Sequence, residues 1–250
     1  ESGFADWLLR QHRIIVRGAT LTWQDEMRQA PLLELKQLNL RLENRGKRHR
    51  FGLRAVPPPS LALPLDLRGD LKGARLDDFS DWSGTLYTRL DYTDVSQWRS
   101  WVDLPFQLER GSGGVRLWFV VEGKALKSLT ADLQLRNVLA RLRPDLPQLD
   151  MDQLGGRLSW ADLAPGQMVQ GSKFSFRLNN GPAFGPSSAS LKLLPAHGKR
   201  AAQGELKVDG LELGPLHVLS GYLPVDEEMR AGLQQLQPRG VLRELSANWT

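Results

Sequence analysis

The sequence predicts a mostly β protein, a long curved antiparallel meander sheet of groove or taco form with a few short capping helices. Three observations carry that expectation. Apolar and polar residues alternate along most of the chain, and a period of two places the apolar ones on one face of a strand. The alternating arms follow one another almost without a break and are joined by Gly, Asn, Asp or Pro turns, which is the pattern of an antiparallel meander. Glycines recur inside the arms, as in "DLRGDLKG", "QLGGRLSW" and "AAQGELKVDG". Glycine within a strand marks a bulge or bend, and hence curvature.

The elements can be taken in chain order. "FADWLLRQ" at 4–11 reads as one or two helical turns, and "RIIVRGATLTW" at 13–23 as the first arm. In "LELKQLNLRLENRGKRHRFGLR" at 33–54, Leu33 and Leu35 alternate with charged residues. The pattern then slips by one at Lys36-Gln37 and resumes at Leu38, Leu40 and Leu42. One inserted residue is what a β-bulge supplies, and it returns the later leucines to the original face. "NRGKR" turns the chain into a partner strand that begins at Phe51 and Leu53. "LALPLDLRGDL" at 61–71 alternates Leu61, Leu63, Leu65 and Leu67 and predicts an uninterrupted strand. "DVSQWRSWV" at 94–102 predicts a short helix with Trp98, Trp101 and Val102 on one side. "GSGG" at 111–114 reads as a hairpin turn before "VRLWFVV". Further arms follow at 128–142, 155–163, 172–180, 187–194 and 203–213, with a last one in "GVLRELSANW", for about ten to twelve strands in all. Between the last two, "PVDEEMRAGLQQLQP" predicts a helix capping one end of the sheet. Pro224 suits its first position, Asp226 to Glu228 complement the N-terminal dipole, and Met229, Leu233 and Leu236 form its apolar stripe before Pro238.

Composition excludes several chemistries. The chain has 250 residues with no cysteine, and its four histidines, His12, His49, His197 and His217, show no ligand spacing. No metal and no cofactor is therefore expected. "GSGG" lacks the Lys-Ser/Thr ending of a phosphate loop, and no nucleophile elbow or His-Glu-x-x-His is present. The carboxylate pairs Asp77-Asp78 and Glu227-Glu228 are adjacent in sequence, so capping or solvation explains them better than acid and base work. An enzyme is not expected. The aromatic-plus-basic run of an RNA-binding sheet is also absent, and the eight tryptophans are read as packing residues. No run approaches the roughly 20 apolar residues that span a bilayer. The chain opens without an initiator Met or signal peptide and is read as a segment of something longer. The formal net charge of +5 favours anionic partners, and Arg45, Lys47, Arg48 and Arg50 at the hairpin turn are the candidate anionic-surface contacts.

Several phrases in order, "FADWLLRQHRIIVRGATLTW", "AVPPPSLALPLDLRG", "WSGTLYTRLDY", "GSGGVRLWF" and "LPQLDMDQLGGRLSW", resemble the central domain of YhdP-type proteins, relatives of AsmA and TamB. The similarity runs from about residue 4 to 195. It implies a large Gram-negative envelope protein, anchored in the inner membrane outside this segment and extending through the periplasm. It also implies a part in outer-membrane biogenesis through phospholipid transport in a long β-groove, with no catalytic set to carry over. On this reading 1–195 is the YhdP-like central β domain, and 196–250 continues the same sheet with a capping helix near 224–237.

The expected partners are then phospholipid acyl chains, with membrane surface or other envelope proteins besides, the rest of the parent chain on both sides, and no nucleic acid. The groove candidates are Leu38, Leu40, Leu42, Leu63, Leu65, Leu133, Leu135, Phe174, Phe176 and Leu178, with Asn39, Arg41, Gln134 and Arg177 facing the other way. The alternatives are a structural β-sandwich scaffold without a ligand of its own and a carbohydrate-binding or carbohydrate-active β domain.

Overall fold

A computed structural model of the chain describes residues 2–75, 78–101, 106–198, 201–223, 227–236 and 238–250, the side chains of 2, 4–6 and 229 excepted. Asp77, Val102, Pro224, Asp226 and the Met229 side chain, named above, lie outside what it describes. Twelve strands hydrogen-bond in one open sheet in the order β1 to β11 and then β14, and the pairings described are antiparallel. The strands are β1 (Arg13–Trp23), β2 (Leu33–Arg45), β3 (Arg48–Val56), β4 (Leu65–Lys72), β5 (Ser83–Asp94), β6 (Gln107–Glu122), β7 (Ala125–Arg141), β8 (Leu149–Asp162), β9 (Gln167–Leu178), β10 (Ala183–Leu194) and β11 (Gln203–Asp209). The two-residue strands β12 (Leu211–Glu212) and β13 (Val241–Leu242) form a separate ribbon, and β14 (Leu245–Trp249) is the last strand of the sheet. The helices among the described residues are α1 (Ser2–Arg10), α2 (Leu216–Leu219) and α3 (Glu227–Leu236). The mostly β, open antiparallel meander expected from the alternation is what forms.

The chain divides into two compact units, one of residues 1–93 with 114–131, the other of 94–113 with 132–250. In the first, the slip at Lys36-Gln37 is a bulge. Gln37 has φ 50°, and the register with β3 jumps between Lys36↔Val56 and Asn39↔Arg54. Leu33 and Leu38 are consequently both buried. The expected strand at 61–71 begins only at Leu65. Pro64 has no N–H to give a ladder, so Leu61 and Ala62 are buried in the preceding loop and Leu63 is 52% exposed.

In the second unit the same device recurs. Asn137 (φ 51°) stands between the buried Leu135 and Val138, and Lys173 (φ 50°) lies one residue before Phe174. The expected hairpin at 111–114 is a correction: "GSGG" lies inside β6. Gly113 has φ 150°, and a Cβ there would stand 2.0 Å from the Gln134 carbonyl oxygen. Glycine serves here to bring two strand backbones together, not to turn the chain. The expected helix at 94–102 is a 3-10 turn at Gln97–Ser100, with Trp98 and Trp101 edge to face at 6.1 Å. The expected strand 203–213 stops at Asp209 because Gly210 takes φ 72°, and the arm at 240–249 splits into β13 and β14. In α3, Leu236 of the expected apolar stripe is 78% exposed.

Candidate functional site

Cross-strand register assembles the apolar side chains into rows on one face of each unit. In the first unit one row runs Val16, Leu40, Leu53, Leu67, and a second runs Ile14, Leu42, Phe51, Gly69, Leu86. Gly69 leaves room for its neighbour, since a Cβ there would lie 2.3 Å from the Phe51 ring. The ends of this face are closed. At one end Leu61, Ala62 and Thr93 are all under 4% exposed, and Thr93 Oγ1 donates to the Leu61 carbonyl at 2.8 Å. At the other end Asn44 Nδ2 donates to the Leu8 and Gln11 carbonyls, at 2.9 and 2.6 Å, tying α1 to the sheet. His49 lies beside it with Nδ1 2.8 Å from Asn44 Oδ1 and Nε2 3.1 Å from the Gly73 carbonyl, and stacks on Trp82 at 5.2 Å. Between these ends Val16, Leu40, Phe51, Leu53, Leu67 and Leu86 are only half-buried.

The second unit repeats the arrangement with its own side chains. Phe176 stacks on Phe184 at 4.3 Å, with Phe174 6.2 Å from Phe176, and Met151 pairs with Leu178, both buried. Farther along, one row runs Trp160, Val169, Leu191, Leu206, Ala247. A second runs Leu158, Gly171, Ala189, Val208, Leu245. Val169 is 44% exposed, and Leu191, Leu206 and Val208 are half-buried. Trp249 lies over Gly204, where a Cβ would fall 2.1 Å from its ring. Trp160, Leu193, Pro195 and Trp249 wall an open pocket of about 510 Å³ at this end of the unit.

The reverse face is ionic. In the first unit β1 contributes Arg13 and Arg17, β2 Glu34, Lys36, Arg41, Glu43 and Arg45, and β3 Arg48, Arg50 and Arg54. From β4 come Asp66, Arg68, Asp70 and Lys72, and from β5 Arg89 and Asp91. Asp66 accepts a bidentate pair from Arg68 at 2.9 Å and lies 3.3 Å from Arg54. Asp70 is held by Arg48 at 2.8 and 2.6 Å with Arg50 at 3.5 Å. Glu43 lies 3.3 Å from Arg13 and accepts from Arg41 at 3.0 Å. Hydrogen bonds from the arginines hold the carboxyls of Asp66, Asp70, Asp91 and Glu43 below their ordinary values. These carboxylates are occupied as structural anions. Among the described residues no three His, Asp or Glu side chains converge as metal ligands would.

Of the groove candidates, Leu38, Leu42, Leu135 and Leu178 are buried, and Leu40, Leu65, Leu133, Phe174 and Phe176 are half-buried. Leu63 is exposed outside the strands. Asn39, Arg41, Gln134 and Arg177 are exposed, as are Arg45, Lys47, Arg48 and Arg50, two of which engage Asp70. Trp160 was read from sequence as a packing residue, and Val169, Leu191 and Leu206 were not singled out, although the alternation in "SSASLKLL" and "QGELKVDG" carried the signal for Leu191 and Leu206. The ties from Asn44 to α1 and from His49 to Gly73 had none, because the carbonyls they hold are 24 to 36 residues away in the chain.

The fold and this site define a class: an open antiparallel sheet with one apolar and one ionic face, without a convergent catalytic or metal-binding cluster among the described residues. The chain belongs to the YhdP protein family, whose model matches residues 1–250. No curated protein and no solved structure is a significant match.

Proposed function

We infer that this chain is a phospholipid-binding and phospholipid-conducting segment of a Gram-negative envelope protein, the acyl chains lying along the apolar sheet face. Membership of the YhdP family supports the envelope setting, with a periplasmic location and an inner-membrane anchor outside this chain. The observation that carries the reading is that the rows between the filled ends of the first unit's face, Leu40, Leu53 and Leu67 among them, remain half-exposed, and that Val169 on the second unit's apolar rows is 44% exposed. A self-contained core would bury its central rows first. An exposed apolar band of this kind marks a surface that meets another apolar body. A diacyl lipid has roughly thirty methylenes, and at ~0.8 kcal/mol each their exposure to water costs roughly 25 kcal/mol. A continuous row of aliphatic side chains can offset most of that, and isolated pockets cannot. Strands of eight residues rise about 26 Å, comparable to an extended acyl chain.

The test is the phospholipid retained by the purified chain, extracted and quantified by mass spectrometry. Val169→Asp should cut retained phospholipid at least several-fold, and Ser190→Asp, of the opposite parity in β10, should not. Retention unchanged by Val169→Asp, with the variant folded, would remove the apolar face from the function.

A further inference from the structure

The second feature of the fold that needs an explanation is the charge on the reverse face of β1–β5. The register places eleven cations and five carboxylates there, the carboxylates being Glu34, Glu43, Asp66, Asp70 and Asp91. The surplus of six exceeds the formal charge of the whole chain, +5, so the chain's positive charge is concentrated on this face. The surplus is held in a regular way. Each of Glu43, Asp66 and Asp70 is shared by two arginines, a nearer one and a second at 3.3, 3.3 and 3.5 Å respectively, Arg54 Nε donating to Asp66 at 3.3 Å. The second arginines, Arg13, Arg54 and Arg50, have side chains 55%, 74% and 66% exposed. Their guanidinium groups are positioned by the carboxylates and keep donors turned to solvent.

We propose that this face is a docking surface for an anionic phospholipid bilayer. Charge complementarity selects an anionic occupant, and the layout selects a surface over a strand. The cations are spread over five adjacent strands, roughly 19 Å across, where a linear polyanion would be met by a single stripe. Among them Tyr87 and Trp118, 5.2 Å apart and half-buried, share the face with Arg68 and Arg89, and Ile15 is 50% exposed. Tyr and Trp flanked by arginines suit the headgroup level of a bilayer, where rings rest against acyl chains and guanidinium groups meet phosphates. A soluble polyanion gives Ile15 nothing to bury against. The face is the reverse of the one assigned to acyl chains, and either assignment can fail without the other.

The experiment is co-sedimentation of the 250-residue chain with phosphatidylcholine vesicles, with and without phosphatidylglycerol. Binding should require phosphatidylglycerol and weaken as salt is raised. Replacing Arg13, Arg50 and Arg54 together by glutamine leaves Arg41, Arg48 and Arg68 on their carboxylates. It should lower partitioning on the order of a hundredfold. The lysine triple at the same positions should keep most of the binding, which separates lost charge from lost fold. Glutamine at Arg136, Arg177 and Arg243 makes the same change in net charge within the second unit and should lower binding only a few-fold. Equal losses in the two glutamine triples, equal binding to neutral vesicles, or tighter binding to a soluble acidic polysaccharide than to vesicles would each overturn the proposal.

Discussion

His49 shows how one polar residue anchors an end of an otherwise apolar face. It is 4% exposed and joins Asn44, which holds α1, to the Gly73 carbonyl. His49→Phe keeps the stacking on Trp82 but removes the ring N–H that can serve Asn44 Oδ1 or that carbonyl, both acceptors, and so leaves a buried acceptor without its donor, at roughly 1–3 kcal/mol. Denaturant unfolding should show a loss of about 1–3 kcal/mol, and hydrogen exchange should place the weakening in α1. The ionic face makes a separate prediction at this scale. The arginines hold the Asp66, Asp70 and Asp91 carboxyls below the ordinary 3.8, so folding favours their ionised forms. That contribution is present above pH 4 or so and is lost as pH falls through the lowered folded values. Thermal unfolding should therefore drop steeply on acidification in this window, and the drop should shrink in high salt. A stability flat across it would deny these pairs any role in folding.

At the scale of elements, three long strands solve one problem alike. A strand with one apolar face loses it if the register drifts, and Gln37, Asn137 and Lys173 each take a left-handed conformation that restores it. Deleting Gln37 should turn Leu33 and Leu35 toward the ionic face, for about 3–6 kcal/mol at roughly 1.5–3 kcal/mol per leucine. Replacing Gln37 by Gly should leave stability close to that of the parent, since the backbone there suits glycine. The bulge was legible because the leucine alternation itself slips at Lys36-Gln37. The strands were legible for the same reason, period two being a direct image of the pleat. The glycines of "GSGG" misled because their local signal is the same for a turn and for two backbones in close approach, and only the partner strand decides. Pro64 was passed over because the leucine spacing around it continued. The split of 240–249 into β13 and β14 lay below the length at which periodicity registers.

For the whole molecule, the sequence showed the charged side as a net surplus and as the Arg45, Lys47, Arg48 and Arg50 cluster, while its spread over β1–β5 is a fact of register. The claim that the other face carries acyl chains is tested most directly by where lipid is captured. A photo-reactive residue should be placed singly at Leu40, Leu67, Val169 and Leu206 on the apolar rows. It should likewise be placed at Asn39, Arg68, Gln170 and Lys207, the next residues along the same strands. After irradiation with phospholipid, the first set should give adducts and the second none above background. Equal capture from both sets, or capture from the second alone, would contradict it.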